Sequence, residues 1–190
     1  KIAIIYAQGE IAGGEGDVNI IGEEAMRTSL QEARKDEKVK AIVIRVDSPG
    51  GSALTSELIW REIEITKKSK PVVVSMGNLA ASGGYYIACN ANKIIAEPST
   101  ITGSIGVFGI LPNMTELSKK IGISTSQVKT HNHSAEYSPF RPIDEKFKEV
   151  TTESVEHIYT TFVQRVATGR KMTVEQVEAV AQGRVWTGTE

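Results

Sequence analysis

The sequence predicts an α/β fold with a mostly parallel sheet flanked by helices. Three observations carry this. Short β-branched runs at Ile2 to Ala7, Val39 to Val46 and Pro71 to Ser75 have the apolar continuity of buried strands. Segments of helical character stand between and after them. Regular strand–helix alternation through the first half demands crossover connections, and those place neighbouring strands in parallel.

The elements follow in order. Gln8 to Gly22 is rich in Gly and acidic residues and reads as a mobile loop. Glu23 to Lys35 carries Ala25, Met26, Leu30 and Ala33 among charges, an amphipathic helix. Strand Val39 to Val46 runs straight into Asp47-Ser48-Pro49-Gly50-Gly51. Ser52 can N-cap the next helix. Leu54, Leu58, Ile59, Ile63 and Ile65 form its apolar side, Glu57 and Arg61 stand at i,i+4, and lysines 67, 68 and 70 suit its C-terminus. Pro71 stops it and opens the third strand. Ala80-Ala81-Ser82-Gly83-Gly84-Tyr85-Tyr86 then turns into a helix of about two to three turns. Lys93 to Ala96 is a short strand, and Ile101 to Val107 alternates small and β-branched residues as closely approached extended backbone would. Asn113 to Ile121 is a helix ended by Gly122 at C′. Ser124 to Thr130 reads as a strand and His131 to Pro142 as a loop. Asp144 caps a long helix to about Thr168, and Thr173 with Gln176 has capping-box spacing for a last one. The 190 residues are expected to form one domain.

Composition narrows the function classes. With 40% hydrophobic and 24% charged residues the chain reads as globular, and 22 basic against 23 acidic residues leave no electrostatic footprint for nucleic acid. Cys89 is alone, so no intrachain disulfide can form, and its apolar surroundings suit a buried small hydrophobe. Pro71 to Asn92 and Pro98 to Thr115 lack charge, but Gly, Ser, Asn, Thr and Pro break both, unlike a membrane span. No secretory leader stands before Lys1, which carries little weight because the chain begins inside an apolar run; its ragged ends suggest a piece of something longer.

Two turns carry the chemistry. Each follows a strand and opens a helix, so in a parallel sheet both lie at the carboxyl ends of the strands, where ligands bind. One turn alone is ordinary helix–sheet packing. A pair of them offers two backbone N–H groups to one carbonyl oxygen, and the turn at Ser82 adds a hydroxyl able to attack the carbon. The rival reading, a phosphate cradle, lacks the Gly-x-x-x-x-Gly-Lys-Ser/Thr pattern.

Val46-Asp47-Ser48-Pro49-Gly50-Gly51, the stretch Val74 to Tyr86, Thr102-Gly103-Ser104-Ile105-Gly106-Val107 and Gly183-Arg184-Val185-Trp186-Thr187-Gly188 together resemble the signal peptide peptidase A family, also called protease IV. The matches span nearly the whole chain, in order. The resemblance implies the ClpP/crotonase superfamily fold and a serine peptidase that degrades cleaved signal peptides on the extracytoplasmic (periplasmic) face of the bacterial inner membrane. It makes Ser82 the nucleophile, gives the oxyanion hole to the N–H groups of Gly83 and Gly50, with Gly51 able to replace Gly50, and leaves Ser104 to orient the general base. It implies a ring- or bowl-shaped homo-oligomer, a tetramer among the options. No cofactor and no metal are expected.

The family's base is a lysine in the loop before a Ser-Pro pair. Counting back from Ser138-Pro139, that position holds Ser134. Double-length family members explain the departure: their C-terminal copy supplies the serine and their N-terminal copy the lysine. By this resemblance the chain is a C-terminal half whose partner is the N-terminal half of the same protein, and it is inactive or nearly so alone. Membrane attachment would lie outside it. Lys129 stands several positions before the family site. His131 and His133 are the in-chain alternatives for a base, and as His-x-His they lack a third metal ligand; solvated loop histidines are the simpler reading. The competing functions are a crotonase-type acyl-CoA enzyme, which needs no nucleophile at Ser82, and a non-catalytic assembly module.

Overall fold

A computed structural model describes residues 1–131, 134 and 137–190 of the chain. They fall into two compact units, one of residues 1–106 with 159–190 and one of residues 107–158.

The first unit is built on a six-stranded sheet. Strand β1 (Ile2–Gln8) pairs in parallel with β5 (Ala41–Ser48), and β5 with β6 (Val72–Ala81). β6 then takes two parallel neighbours in succession, β7 (Lys93–Ile95) along its first half and β8 (Ile101–Gly103) along its last three residues. β9 (Val185–Thr187) closes the sheet antiparallel to β8. Alternate residues of β5 and β6, among them Ile42, Ile44, Val46, Val72 and Val74, are fully or almost fully buried. They meet Leu30 of α1 (Glu23–Lys35) and Ile59 and Ile63 of α2 (Ala53–Lys67) in one core. Burying each such side chain contributes about 1.5–3 kcal/mol, which holds the helices on the sheet face and fixes the register. A second core joins Trp60, Tyr86 and Cys89 to Phe162, Val163 and Val166 of α5 (Glu145–Arg170), which belongs to this unit from Tyr159 on, and to Val177 of α6 (Val174–Glu178).

The local signals hold where they are strongest. The Ser52 side chain caps α2 by accepting from Thr55 N at 3.2 Å, Thr173 and Gln176 form a reciprocal capping box on α6, and Asp144 Oδ1 accepts from the Lys146 and Phe147 amides at the start of α5.

Four expectations for the first unit are corrected. Gln8 to Gly22 is not a loop: β2 (Glu10–Ala12), β3 (Gly16–Asp17) and β4 (Ile20–Gly22) form a small sheet of their own. Strands of two or three residues are too short to show a period, which hid them. The helix after Ser82, α3 (Gly83–Ala88), has six residues only, because the chain turns after Cys89 and Asn92 N already donates to Val72 O on the way into β7. Glu57 ion-pairs with Arg165 rather than Arg61, and Leu54 and Leu58 lie exposed instead of in the core.

The second unit holds α4 (Thr115–Lys120), followed by Gly122 at φ 74°, and the first part of α5. Residues 124–130 form no strand: Val128 is 96% exposed, Ile123 before them is half exposed, and the rest are polar, so no sheet face is there to bury them.

Candidate active site

The site is assembled where β5 and β6 end. After Ser48 the chain turns through Pro49, Gly50 and Gly51 into α2, with Gly50 at φ 97°, a conformation that disfavours any side chain. The small sheet straps this turn: Ile11 N donates to Gly50 O at 2.8 Å, and Ser52 N donates to Ile11 O at 2.7 Å. Ile11 and Gly51 form a parallel bridge, and a Cβ on Gly51 would fall 2.1 Å from Ile11 O. The N–H of Gly50 donates to Ser48 Oγ at 3.1 Å. The N–H of Gly51 has no partner among the described residues, and its nitrogen would lie 3.2 Å from a Cβ placed on Gly83.

β6 reaches the same place through a bulge. Val46 pairs with Met76 and Ser48 with Ala80, so Gly77, Asn78 and Leu79 all stand against Asp47. Asp47 fills the gap, and its Oδ1 accepts from Leu79 N at 3.1 Å. Thr100 Oγ1 donates to Gly77 O and Arg45 to Met76 O, both at 2.8 Å, so the displaced backbone remains hydrogen-bonded. Beyond the bulge β6 leaves β7 and pairs with β8, and Ser82 N donates to Gly103 O at 3.0 Å.

Ser82 therefore sits at the junction of strand and helix, half-buried, with φ 50° and ψ −122°. That backbone is strained for a non-glycine residue by about 1–3 kcal/mol and persists because both flanking elements determine it. Its hydroxyl makes no hydrogen bond within this unit, and the next amide, Gly83 N–H, is likewise unengaged there. The two turns touch: a Cβ on Gly50 would lie 2.5 Å from Gly83 N and 2.9 Å from Ser82 Cβ. The structure thus brings together Ser82, Gly83, Gly50 and Gly51.

Ser104 directly follows the Gly103 carbonyl that holds Ser82, also at positive φ, 49°. The last sequence motif explains its position. Ser104 N donates to Arg184 O at 2.8 Å, Gly183 N donates to Ile105 O at 2.9 Å, and Trp186 packs so closely on Gly103 that a Cβ there would meet its ring at 2.6 Å. Sequence reasoning noted Gly183 to Gly188 without a role; the backbone pairing gives it one.

Lys129, His131 and Ser134 belong to the second unit. His131 and Ser134 form a local turn, with Ser134 Oγ donating to His131 O at 3.1 Å. His133 lies outside the described residues. Among the described residues no cluster of His, Cys, Asp and Glu could hold a metal, and no helix is long and apolar enough to cross a membrane.

A parallel α/β sheet that presents a strained serine beside unengaged glycine amides is the arrangement of a serine hydrolase. The chain belongs to peptidase family S49, whose model matches residues 64–190. It is 42% identical over 191 residues to Protease 4 of Haemophilus influenzae and 41% identical over 198 residues to the chloroplastic serine protease SPPA of Arabidopsis thaliana. Both alignments take in all of this chain, which spans only 31% and 29% of those proteins. Among solved structures, a point mutant of ClpP1 from Listeria monocytogenes superposes with a TM-score of 0.65 at 14% identity, covering 99% of this chain and 84% of that one. This likeness shows the ClpP-like fold.

Proposed function

We propose that this chain is the serine-bearing half of a Ser/Lys peptidase that degrades cleaved signal peptides and other apolar peptides at the extracytoplasmic face of the bacterial inner membrane. Ser82 is the nucleophile. Gly83 and Gly51 donate the two oxyanion hydrogen bonds, since the Gly50 amide is already engaged by Ser48. Ser104 orients the base, a lysine supplied by the N-terminal half of the same protein. The assembly is a ring- or bowl-shaped oligomer, and the membrane anchor lies outside this segment.

The observation that carries this reading is the pairing of a strained Ser82, its hydroxyl unengaged, with adjacent unengaged amides at Gly83 and Gly51. In the reaction Ser82 Oγ bonds to the scissile carbonyl carbon as its proton passes to the neutral lysine amine. The carbonyl electron pair moves to oxygen, where the two N–H groups hold the negative charge. The C–N bond breaks as the lysine returns the proton to the leaving amine. Water, deprotonated by the same lysine, then cleaves the acyl ester and frees Ser82. A lysine can accept that proton near neutral pH only when burial lowers its pKa, which a closed interface between two halves provides.

The test is hydrolysis of a fluorogenic apolar peptide by this chain alone and by the protein carrying both halves. Activity is expected only with both halves, and Ser82→Ala abolishes it. Hydrolysis by the chain alone that disappears on Ser82→Ala would overturn the missing base; hydrolysis that survives Ser82→Ala in the two-half protein would overturn the nucleophile.

A further inference from the structure

The turns bearing Gly51 and Gly83 open α2 and α3, and one hydrogen-bonded knot ties those helices together. Tyr86 stands one turn into α3, where its N–H donates to Ser82 O at 2.8 Å. Its hydroxyl donates to Glu57 Oε2 of α2 at 2.5 Å. Arg165 of α5 completes the knot with Nη2 2.7 Å from Glu57 Oε1 and Nε 3.2 Å from Oε2, while its guanidinium lies 4.0 Å over the Trp60 ring. The Tyr86 ring packs on Phe162 at 4.6 Å between centroids and is 4% exposed. Burial, and then the Glu57 carboxylate, raise the Tyr86 hydroxyl above its ordinary range, so it remains a donor at working pH.

We propose that Tyr86 and Glu57 are positioning residues of the oxyanion hole: their hydrogen bond sets the distance between the Gly51 and Gly83 amides. The inference rests on the reading of Ser82 as nucleophile. The turns cannot fix this distance by side chains of their own, because glycines line both: a Cβ on Gly50 would collide with Gly83 N, one on Gly51 with the Ile11 backbone and one on Gly83 with Ser56 Oγ. The strands that end in the turns, paired at Ser48 and Ala80, hold one side of each turn, and the helices they open hold the other. Glu57 lies five residues past the cap Ser52 and Tyr86 four past Ser82, about 6–8 Å from each helix start at 1.5 Å per residue. Over so short a distance each helix moves as a rigid piece, and a shift at the knot reaches the amides undiminished. Oxyanion donors must sit within about 2.7–3.1 Å of the developing charge, and a misplacement of about 1 Å costs on the order of a hundredfold in rate. The effect falls on the chemical step and leaves substrate binding unchanged.

The experiment is phosphonylation by a fluorophosphonate probe in the protein carrying both halves, with the maximal rate kinact separated from the half-saturating concentration KI. Tyr86→Phe removes one oxygen and leaves the Glu57–Arg165 pair and the ring packing in place. It is expected to lower kinact at least about tenfold with KI unchanged and the folded fraction intact. Glu57→Gln, which keeps an acceptor for Tyr86, is expected to fall between wild type and Tyr86→Phe, and it decides the matter if Tyr86→Phe does not fold. An unchanged kinact, or a loss shared equally by KI, overturns the proposal. If Ser82→Ala is silent while Tyr86→Phe reacts at the wild-type rate, the positioning role alone falls; if Ser82→Ala still reacts, the nucleophile reading falls and takes this proposal with it.

Discussion

Gly50 and Gly83 come from different strand–helix turns, yet a Cβ on Gly50 would lie 2.5 Å from the amide nitrogen of Gly83. No rotamer relieves that contact, since it involves backbone, and Gly50 also stands at φ 97°. Gly50→Ala is therefore expected to destabilise the fold by about 1–3 kcal/mol and to slow probe labelling of Ser82 at least about a hundredfold. Denaturant midpoints and labelling rates measure the two effects separately. Wild-type labelling in the folded variant would show that the turns need not touch.

Asp47 is expected to act through the bulge in β6. Asp47→Ala strips the acceptor from Leu79 N–H and is expected to cost about 1–3 kcal/mol, read as a shift in urea midpoint. Asp47→Asn keeps an oxygen in place and should recover most of the loss. Equal losses in the two variants would mean that the carboxylate charge, and not the hydrogen bond to Leu79, matters there.

Ser104 holds its backbone through Arg184 O, and its hydroxyl has no hydrogen-bond partner among the described residues. Ser104→Ala is expected to leave the thermal midpoint within a few degrees of wild type while lowering peptide hydrolysis by the two-half protein about tenfold or more. Full activity would remove Ser104 from the machinery.

Burial pushes the Cys89 thiol up to about 12. The unfolded thiol ionises near pH 8.5, so between about pH 9 and 12 the unfolded chain sheds a proton that the folded chain keeps. Stability is accordingly complete below about pH 8.5 and declines as pH rises through that window. Urea titrations at pH 8 and pH 10.5 should show the decline, smaller in Cys89→Ala. Tyr85 and Tyr86, also raised by burial, add to it at the alkaline end. A thiol reagent at pH 8 should react with the protein only as it unfolds; prompt reaction in the native state would contradict this burial.

Much of the site was legible because its geometry is local. The turn at Gly50 and the turn at Ser82 each follow a strand and open a helix, and parallel pairing puts both at one sheet end whatever the loops do. The capping signals at Ser52, Asp144 and Thr173 were legible for the same reason: the capping group and its amides lie within three residues. What remained hidden depends on distant pairings. Nothing along α2 distinguishes Arg61, four residues from Glu57, from Arg165, more than a hundred away, as its partner. The proposed preference for Gly51 over Gly50 as oxyanion donor rests on the Gly50 amide's bond to Ser48 Oγ, a contact that spacing does not encode. The β6 bulge that hands the strand from β7 to β8 is a matter of register, and hydrophobic patterning is silent on it.

The central claim is that Ser82 is the nucleophile, and mass spectrometry of the fluorophosphonate adduct tests it most directly. Labelling of the two-half protein is expected to place a single phosphonyl group on Ser82, with none on Ser104 or any other serine and none in Ser82→Ala. An adduct on a different residue, or one formed at an undiminished rate in Ser82→Ala, would contradict it.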